Sequence, residues 1–253
     1  MKYMGSKNRI LKDILPIIQK CIDDNGICIY LEPFVGGANI IDKIKCDKRC
    51  GNDSNKYLID FWKQLQNGWN PLSDVEITKE LYNKIKDNKE EYPNHIVALA
   101  GLCATYNAKW FGGYAGIVKT KIDTYRNYYD EAVRNVLSQI DDLKNVEFTN
   151  KDYYEYYPVN CFVYCDPPYE GTTKYKDNFD HEKYWDWVRE ISKRNFVVCS
   201  EYNAPDDFQC IWSKELITTL DKASRSKSVE KLFTYTNGEY YDYVNNLNFA
   251  KKL

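Results

Sequence analysis

A short β-prone run that ends in two glycines and leads into helical spacing is the feature that most restricts the fold. The run covers residues 27–31, Gly36 and Gly37 follow it, and a helix is predicted from Ala38 to about Lys45. Strands that alternate with helices predict an α/β protein with a Rossmann-like sheet. The further predicted strands end near Asp53 or cover Val146–Thr149, Cys161–Cys165 and Phe196–Cys199.

The stretch from about Asn70 to Lys144 interrupts this alternation. Its pattern is polar and helical, without alternating strands, and a run of glycine and aromatic residues from Trp110 to Gly116 breaks it. A helical insertion into a sheet domain is the natural interpretation. We therefore predict a sheet domain formed by residues 1–69 and 145–253, and a helical insert domain at residues 70–144.

The overall charge argues against a wholly basic nucleic-acid-binding protein. The formal net charge is −2 and the sequence pI is about 5.8, whereas a nucleic-acid-binding domain commonly has a pI above about 9. Basic residues nevertheless cluster locally, and the cluster in the insert consists of Lys109, Lys119, Lys121 and Arg126. A basic groove is enough for an enzyme that must release a polyanionic substrate.

The cysteines indicate a reducing compartment. There are nine, an odd number, and none forms a C-x-x-C pair. The chain has only two histidines, neither of them near a cysteine in sequence, so we expect no metal site. No apolar stretch is long enough to span a bilayer, and we expect a cytoplasmic protein without a membrane partner.

The glycine turn and the carboxylate at the end of the next predicted strand suggest a nucleotide-like ligand. Gly36 and Gly37 let the backbone approach a ligand closely, but the full G-x-G-x-x-G pattern is lacking, which favours a cofactor without phosphates. Asp53 lies near the spacing of about 20 residues at which a carboxylate accepts ribose hydroxyls. The alternatives are a simple tight turn at the glycines and a helix-capping role for Asp53.

Asp166-Pro167-Pro168-Tyr169 follows the apolar strand at residues 161–165 and is the most informative motif. The two prolines donate no N–H and fix their own φ, so a main-chain carbonyl is held beside the Asp166 carboxylate. Two fixed acceptors could hold both N–H bonds of an aromatic amine and make its nitrogen a better nucleophile. Tyr169 offers a ring face on which a base can stack.

Together these residues give a family resemblance. The chain resembles the Dam-like, alpha-group adenine-N6 DNA methyltransferases, and its Trp110–Gly116 stretch is similar to that of phage-borne members. The motifs that carry the resemblance, in chain order, are Tyr3-Met4-Gly5-Ser6-Lys7, Glu32-Pro33-Phe34-Val35-Gly36-Gly37, Asn52-Asp53-Ser54-Asn55, Asp166-Pro167-Pro168-Tyr169 and the later Glu230-Lys231-Leu232-Phe233.

The resemblance implies S-adenosylmethionine as the cofactor, double-stranded DNA as the partner and the insert as a target-recognition domain. It implies that Tyr3 and Lys7 border the cofactor site together with Glu32, Pro33, Phe34, Gly36 and Gly37. It also implies that Asp53 holds the ribose and that Asp166 meets both the methionine part of the cofactor and the target amine. Asp152 resembles the carboxylate that contacts the cofactor adenine, although a solvated carboxylate fits that acidic stretch equally well.

The implied reaction moves a methyl group directly from the sulfonium to N6 of an adenine that is flipped out of the duplex. Asp166, Pro167, Pro168 and Tyr169 are the predicted catalytic residues, and Lys109, Lys119, Lys121 and Arg126 the predicted DNA contacts. Methylation of an RNA base or a protein amide is a rival activity. An inactive DNA-binding protein that keeps the fold is another, and the intact Asp166 and Tyr169 argue against it.

Overall fold

The computed structural model describes residues 1–119, 124–170, 179–218 and 226–246. Its strands are β1 Ile29–Glu32, β2 Lys48–Asn52, β3 Ile117–Lys119, β4 Tyr125–Asn127, β5 Val146–Thr149, β6 Phe162–Cys165, β7 Phe196–Glu201, β8 Phe208–Thr218 and β9 Ser226–Tyr235. Its α-helices are α1 Leu11–Asp24, α2 Lys56–Gln66, α3 Pro71–Asp74, α4 Lys79–Asp87, α5 Asn94–Ala98, α6 Tyr128–Leu137, α7 Ile140–Leu143, α8 His181–Ser192 and α9 Tyr241–Asn246.

The chain divides into two compact units. Unit one consists of Met1–Ile17, Val35–Lys45 and Arg49–Lys151, and unit two consists of Ile18–Phe34, Cys46–Lys48 and Asp152–Leu253. All of residues 70–144 lie in unit one. The same unit also contains segments of the predicted sheet domain, among them Met1–Ile17 and Val35–Lys45. The domain boundaries at 69/70 and 144/145 stay a prediction.

Unit two contains a sheet with the strand order β1-β6-β7-β9-β8. The first three strands are parallel, whereas β9 runs antiparallel to both β7 and β8. Every residue of β6 and β7 is buried, which explains why Phe162–Cys165 and Phe196–Cys199 are continuous apolar runs without alternation. A cross-strand row of Tyr30, Phe162 and Phe196 has ring centroids 5.9 and 5.0 Å apart.

Unit one contains the parallel pair β2–β5, in register from Arg49 and Val146 to Asn52 and Thr149. Helix α2 begins after Asn55, whose side chain accepts the N–H groups of Tyr57 and Leu58, as a helix N-cap does. The helix buries Trp62 against Phe148 of β5, with the two rings stacked at 6.0 Å. The parallel strands and flanking helices of both units confirm the predicted α/β class.

The predicted helix from Ala38 to about Lys45 is wrong, because that segment forms successive turns. Ala38 has a φ of +51°, which a right-handed helix does not allow, and the Lys43 N–H donates to the Ile40 carbonyl three residues back. The aliphatic side chains of Ile40, Ile41 and Ile44 are still buried. The spacing of apolar residues therefore predicted correctly that these side chains are buried, but it did not determine the backbone conformation of the segment.

The insert is also not wholly helical. It contains the antiparallel pair β3–β4, in which Val118 faces Arg126. The long antiparallel strands β8 and β9 were not predicted either. Their sequences mix charged and apolar residues, as in Lys214, Glu215 and Leu216, because an antiparallel sheet can leave one face in water.

Candidate active site

The glycine turn of unit one is held by its main-chain hydrogen bonds. Gly36 has a φ of +45°, a left-handed conformation that glycine adopts without a Cβ clash. Its N–H donates to Asp53 Oδ2 at 3.1 Å, and its carbonyl accepts the indole N–H of Trp62 at 3.1 Å. Because the Gly36 N–H is directed at a carboxylate, the turn does not offer this donor to a phosphate.

Tyr3 lies directly against both glycines. A Cβ added at Gly36 would lie 2.8 Å from Tyr3 Cε1, and one added at Gly37 would lie 2.7 Å from Tyr3 Cβ. Lys7 is buried nearby in sequence, with Nζ donating to the Gly5 carbonyl at 3.3 Å. The first predicted cofactor motif and the glycine turn are therefore in contact within unit one.

Asp53 joins the turn to the start of α2. Besides the Gly36 N–H on Oδ2, its Oδ1 accepts the Asn55 N–H at 2.9 Å. Burial raises the pKa of the Asp53 carboxyl, and the N–H groups of Asn55 and Gly36 lower it in part. A carboxylate has about four lone-pair sites, so these two bonds leave capacity to accept further hydrogen bonds. The helix cap itself is Asn55.

In unit two, the tetrapeptide starts where β6 ends. Cys165 is fully buried, whereas Asp166 and Tyr169 are half-buried, so the motif lies at the surface end of a core strand. The Tyr169 hydroxyl lies 2.5 Å from Ser200 Oγ and 3.1 Å from Glu230 Oε2. Its ring meets the ring of Tyr202 edge-on, with centroids 4.7 Å apart.

Three polar residues around Tyr169 were not predicted as site residues: Ser200, Glu201 and Glu230. Ser200 and Glu201 are buried and end β7, and Glu201 Oε2 accepts the Glu170 N–H at 3.2 Å. A serine–glutamate pair at the end of an apolar strand is a sequence signal, because such side chains are rarely buried without a partner. Glu230 belongs to the motif Glu230-Lys231-Leu232-Phe233, for which the resemblance implies no particular role.

The predicted site residues Glu32, Pro33 and Phe34 lie at the end of β1 in unit two: Glu32 is the last residue of the strand, and Pro33 and Phe34 follow it. Glu32 is buried, and its Oε1 accepts the Tyr30 hydroxyl at 2.7 Å; Pro33 is also buried. Phe34 packs on Tyr153, the residue after Asp152, with ring centroids 5.3 Å apart. The structure thus brings the Phe34 and Asp152 segments together.

Asp152 takes part in a capping box. Its Oδ1 accepts the Tyr153 N–H at 3.1 Å, and its own N–H donates to Glu155 Oε1 at 2.9 Å. The side chain is half-buried. Asp152 thus has a structural role in the capping box. The contact with the cofactor adenine that the resemblance implies stays a prediction.

The predicted DNA contacts lie in unit one, except that Lys121 is outside the described residues. Lys109, Lys119 and Arg126 are exposed. Arg126 forms a two-point ion pair with Glu131, with both N···O distances at 2.6 Å. The β3–β4 pair also exposes apolar side chains, with Ile117 67% and Tyr125 74% accessible.

No group of three or more potential metal ligands occurs in the described part of the chain. Over the same residues, no helix combines the length and apolar character needed to cross a membrane. All nine cysteines are free thiols.

Comparisons with known proteins agree with one another. Residues 3–233 match the model of the D12 class N6 adenine-specific DNA methyltransferase family. The chain is 27% identical over 215 residues to the Type II methyltransferase M.MjaIII of Methanocaldococcus jannaschii, covering 73% of each chain. It is also similar to the modification methylase StsI of Streptococcus sanguinis, at 24% identity over 78% of this chain, and to the Type II methyltransferase M.FokI of Planomicrobium okeanokoites, at 23% over 76%. The aligned part is 32% of each of these two longer proteins.

Proposed function

Because the chain belongs to the D12 class N6 adenine-specific DNA methyltransferase family, we propose that Asp166 grips the target amine and that S-adenosylmethionine is the methyl donor. Family membership makes the chain a methyltransferase that acts on N6 of adenine in DNA. The observation that carries the proposal is the position of Asp166, half-buried at the end of the buried strand β6 and followed by two prolines.

In unit one, the residues proposed to contact the cofactor are Tyr3, Lys7, Gly36, Gly37 and Asp53. In unit two, the family resemblance implies cofactor contacts for Glu32, Pro33, Phe34, Asp152 and Asp166. Two features support S-adenosylmethionine as the ligand of unit one. Asp53 can accept further hydrogen bonds, as from ribose hydroxyls. The Gly36 N–H donates to Asp53 and is not offered to a phosphate, which suits a ligand without phosphates. When bound, S-adenosylmethionine supplies an electrophilic methyl group on a positively charged sulfur.

The protein's own part in the reaction is positioning and electrostatics. The target adenine leaves the stack at a cost of a few kcal/mol, which stacking and polar contacts offset. Tyr169 supplies a ring face for the base, and Pro167 and Pro168 hold a carbonyl rigidly beside Asp166. The carboxylate and the carbonyl accept the amine hydrogens and stabilise the positive charge that develops on nitrogen as the methyl arrives.

The insert at residues 70–144 is proposed to bind the DNA. The β3–β4 pair combines exposed Ile117 and Tyr125 with Lys119 and Arg126. Lysine and arginine side chains bind phosphate groups. An exposed aromatic ring such as that of Tyr125 can stack on a base. A DNA substrate also fits the predicted cytoplasmic location.

A methyl-transfer assay tests this function against its rivals. The purified protein should transfer label from S-adenosyl-[methyl-³H]methionine to unmethylated plasmid DNA and yield N6-methyladenine after digestion. Transfer to RNA or to protein instead, or binding of DNA without transfer by the parent chain, would support a rival activity. The control variant Asp180→Asn should show the same activity as the parent, because Asp180 caps α8 and Asn caps about as well as Asp.

Replacing Asp53 with Ala should weaken binding of S-adenosylmethionine by about 10- to 150-fold. This range corresponds to about 1.5–3 kcal/mol for hydrogen bonds to a charged acceptor. Isothermal calorimetry measures the change. Asn55→Ala is the matched control, because it removes the cap of α2, costs about 1 kcal/mol of stability and should leave cofactor affinity unchanged. Equal losses in both variants would reduce Asp53 to a structural residue.

Neutralising the lysines at 109, 119 and 121 should flatten the salt dependence of DNA binding. Each lost phosphate contact lowers the slope of log K against log salt by about 0.9. Arg126→Gln should change the slope less, because Glu131 already pairs with that guanidinium. Glu131→Gln should steepen the slope by releasing Arg126. Fluorescence anisotropy at several salt concentrations measures these slopes. An unaltered slope in the lysine variant would show that DNA does not bind at these lysines.

A further inference from the structure

The hydroxyl of Tyr169 is held from two strands of unit two. Ser200 is the fifth residue of β7 and is fully buried, and Glu230 lies on β9. Their side-chain oxygens lie 2.5 and 3.1 Å from the Tyr169 hydroxyl oxygen. Ser200 pairs with Leu232 in the β7–β9 register, so both partners belong to one hydrogen-bonded strand pair.

The chemistry of the three groups sets the direction of these bonds. An ionised carboxylate only accepts hydrogen bonds, so Tyr169 donates its single proton to Glu230. The Tyr169 oxygen is then the acceptor, and Ser200 is the donor. Burial of the hydroxyl, with the charges of Asp166 and Glu230, raises the pKa of Tyr169 well above its usual value. Tyr169 therefore remains a donor throughout the neutral range.

The backbone after Tyr169 is tied to the same strand end. Glu201, next to Ser200, accepts the Glu170 N–H on Oε2 at 3.2 Å and the Tyr202 N–H on Oε1 at 2.7 Å. The Tyr202 ring then meets the Tyr169 ring edge-on at 4.7 Å. Tyr169 is thus held at its hydroxyl, at its ring by a perpendicular contact with Tyr202, and at the peptide that follows it, which leaves little rotamer freedom to lose when a base arrives.

We propose that Ser200 and Glu230 are positioning residues that orient the Tyr169 ring, through its hydroxyl, before the target adenine stacks on it. This inference rests on the proposed role of Tyr169 as the stacking platform. Prior orientation matters because ordering a side chain at the moment of binding costs conformational entropy. Neither residue needs to touch the base or the cofactor for this role.

The test is a mutant cycle on the Tyr169 hydroxyl, after the target adenine has been mapped by sequencing DNA that the parent methylates. Ser200→Ala and Glu230→Ala should each slow single-turnover methylation by about 3- to 10-fold, the usual worth of one hydrogen bond. In a Tyr169→Phe background the same substitutions should have no further effect. Glu230→Gln keeps an acceptor and should recover most of the rate lost in Glu230→Ala.

Two readouts separate positioning from general damage. Fluorescence of 2-aminopurine at the target position should report less flipped base in Ser200→Ala, while calorimetric affinity for S-adenosylmethionine stays at the parental value. Ser192→Ala is the matched control: Ser192 is also a buried serine, but its hydroxyl donates to the Val188 carbonyl within α8. It should leave the single-turnover rate unchanged. Thermal unfolding of each variant checks that it is folded, and Glu230→Ala on its own keeps the test decisive if Ser200→Ala does not fold.

The outcomes distinguish the inference from its premise. Equal slowing by Ser200→Ala in the parental and the Tyr169→Phe backgrounds would overturn the positioning role while leaving Tyr169 as the platform. A Tyr169→Ala variant that methylates at the parental rate would instead overturn the proposed role of Tyr169 itself. Loss of cofactor affinity in Ser200→Ala would mean that the substitution damages the site generally, and would also overturn the inference.

Discussion

Replacing Asp166 with Asn should slow single-turnover methylation by about 100- to 1,000-fold, the usual loss for one preorganised electrostatic group. The substitution keeps the shape of the side chain and one acceptor but removes the charge that stabilises the developing ammonium. If the interaction acts chiefly in the transition state, kcat and kcat/KM should fall together. Single-turnover measurements are needed, because slow product release would hide the chemical step.

The expected slowing of Asp166→Asn has two controls. Thermal unfolding should show a folded protein, since Asp166 is half-buried and begins the loop after β6. Asp180→Asn makes the same chemical change at the cap of α8 and should leave the rate unaltered. If Asp166→Asn methylates adenine at the parental single-turnover rate, the tetrapeptide is only a turn and the proposed mechanism fails.

Replacing Gly36 with Ala should both destabilise the protein and weaken binding of S-adenosylmethionine by at least about 10-fold, equivalent to about 1.4 kcal/mol. Two effects act together. A left-handed φ costs a residue with a Cβ about 1–2 kcal/mol, and the new Cβ would lie 2.8 Å from the Tyr3 ring. The ring or the turn must move, and both belong to the proposed cofactor contacts. Calorimetry and thermal unfolding measure the two losses separately.

Gly26→Ala separates backbone strain from the clash. Gly26 also has a left-handed φ, of +61°, but a Cβ there would meet no atom within 4 Å. That variant should lose stability through strain alone and keep the parental cofactor affinity. Parental affinity in Gly36→Ala would show that the turn lies away from the cofactor.

The sequence by itself determined the elements whose local signals are strong. Strand β6 and the motif after it could be predicted because a short apolar run ends at Asp166, where two prolines stop regular pairing. Strand β5 was predicted with the ends that the structure shows, Val146–Thr149. The family resemblance followed from short motifs whose residues are contiguous.

Only the tertiary structure decided the rest, because the deciding contacts join residues far apart in sequence. Ile40, Ile41 and Ile44 have helical spacing, yet the chain turns after Ala38 and buries them without a helix. Asp53 accepts the Gly36 N–H only because the turn after β1 and the end of β2 come together. Ser200 and Glu230 reach Tyr169 because β9 pairs with β7 and β7 with β6. Local spacing carries no information about such strand pairings, so those partners could not have been read from the sequence.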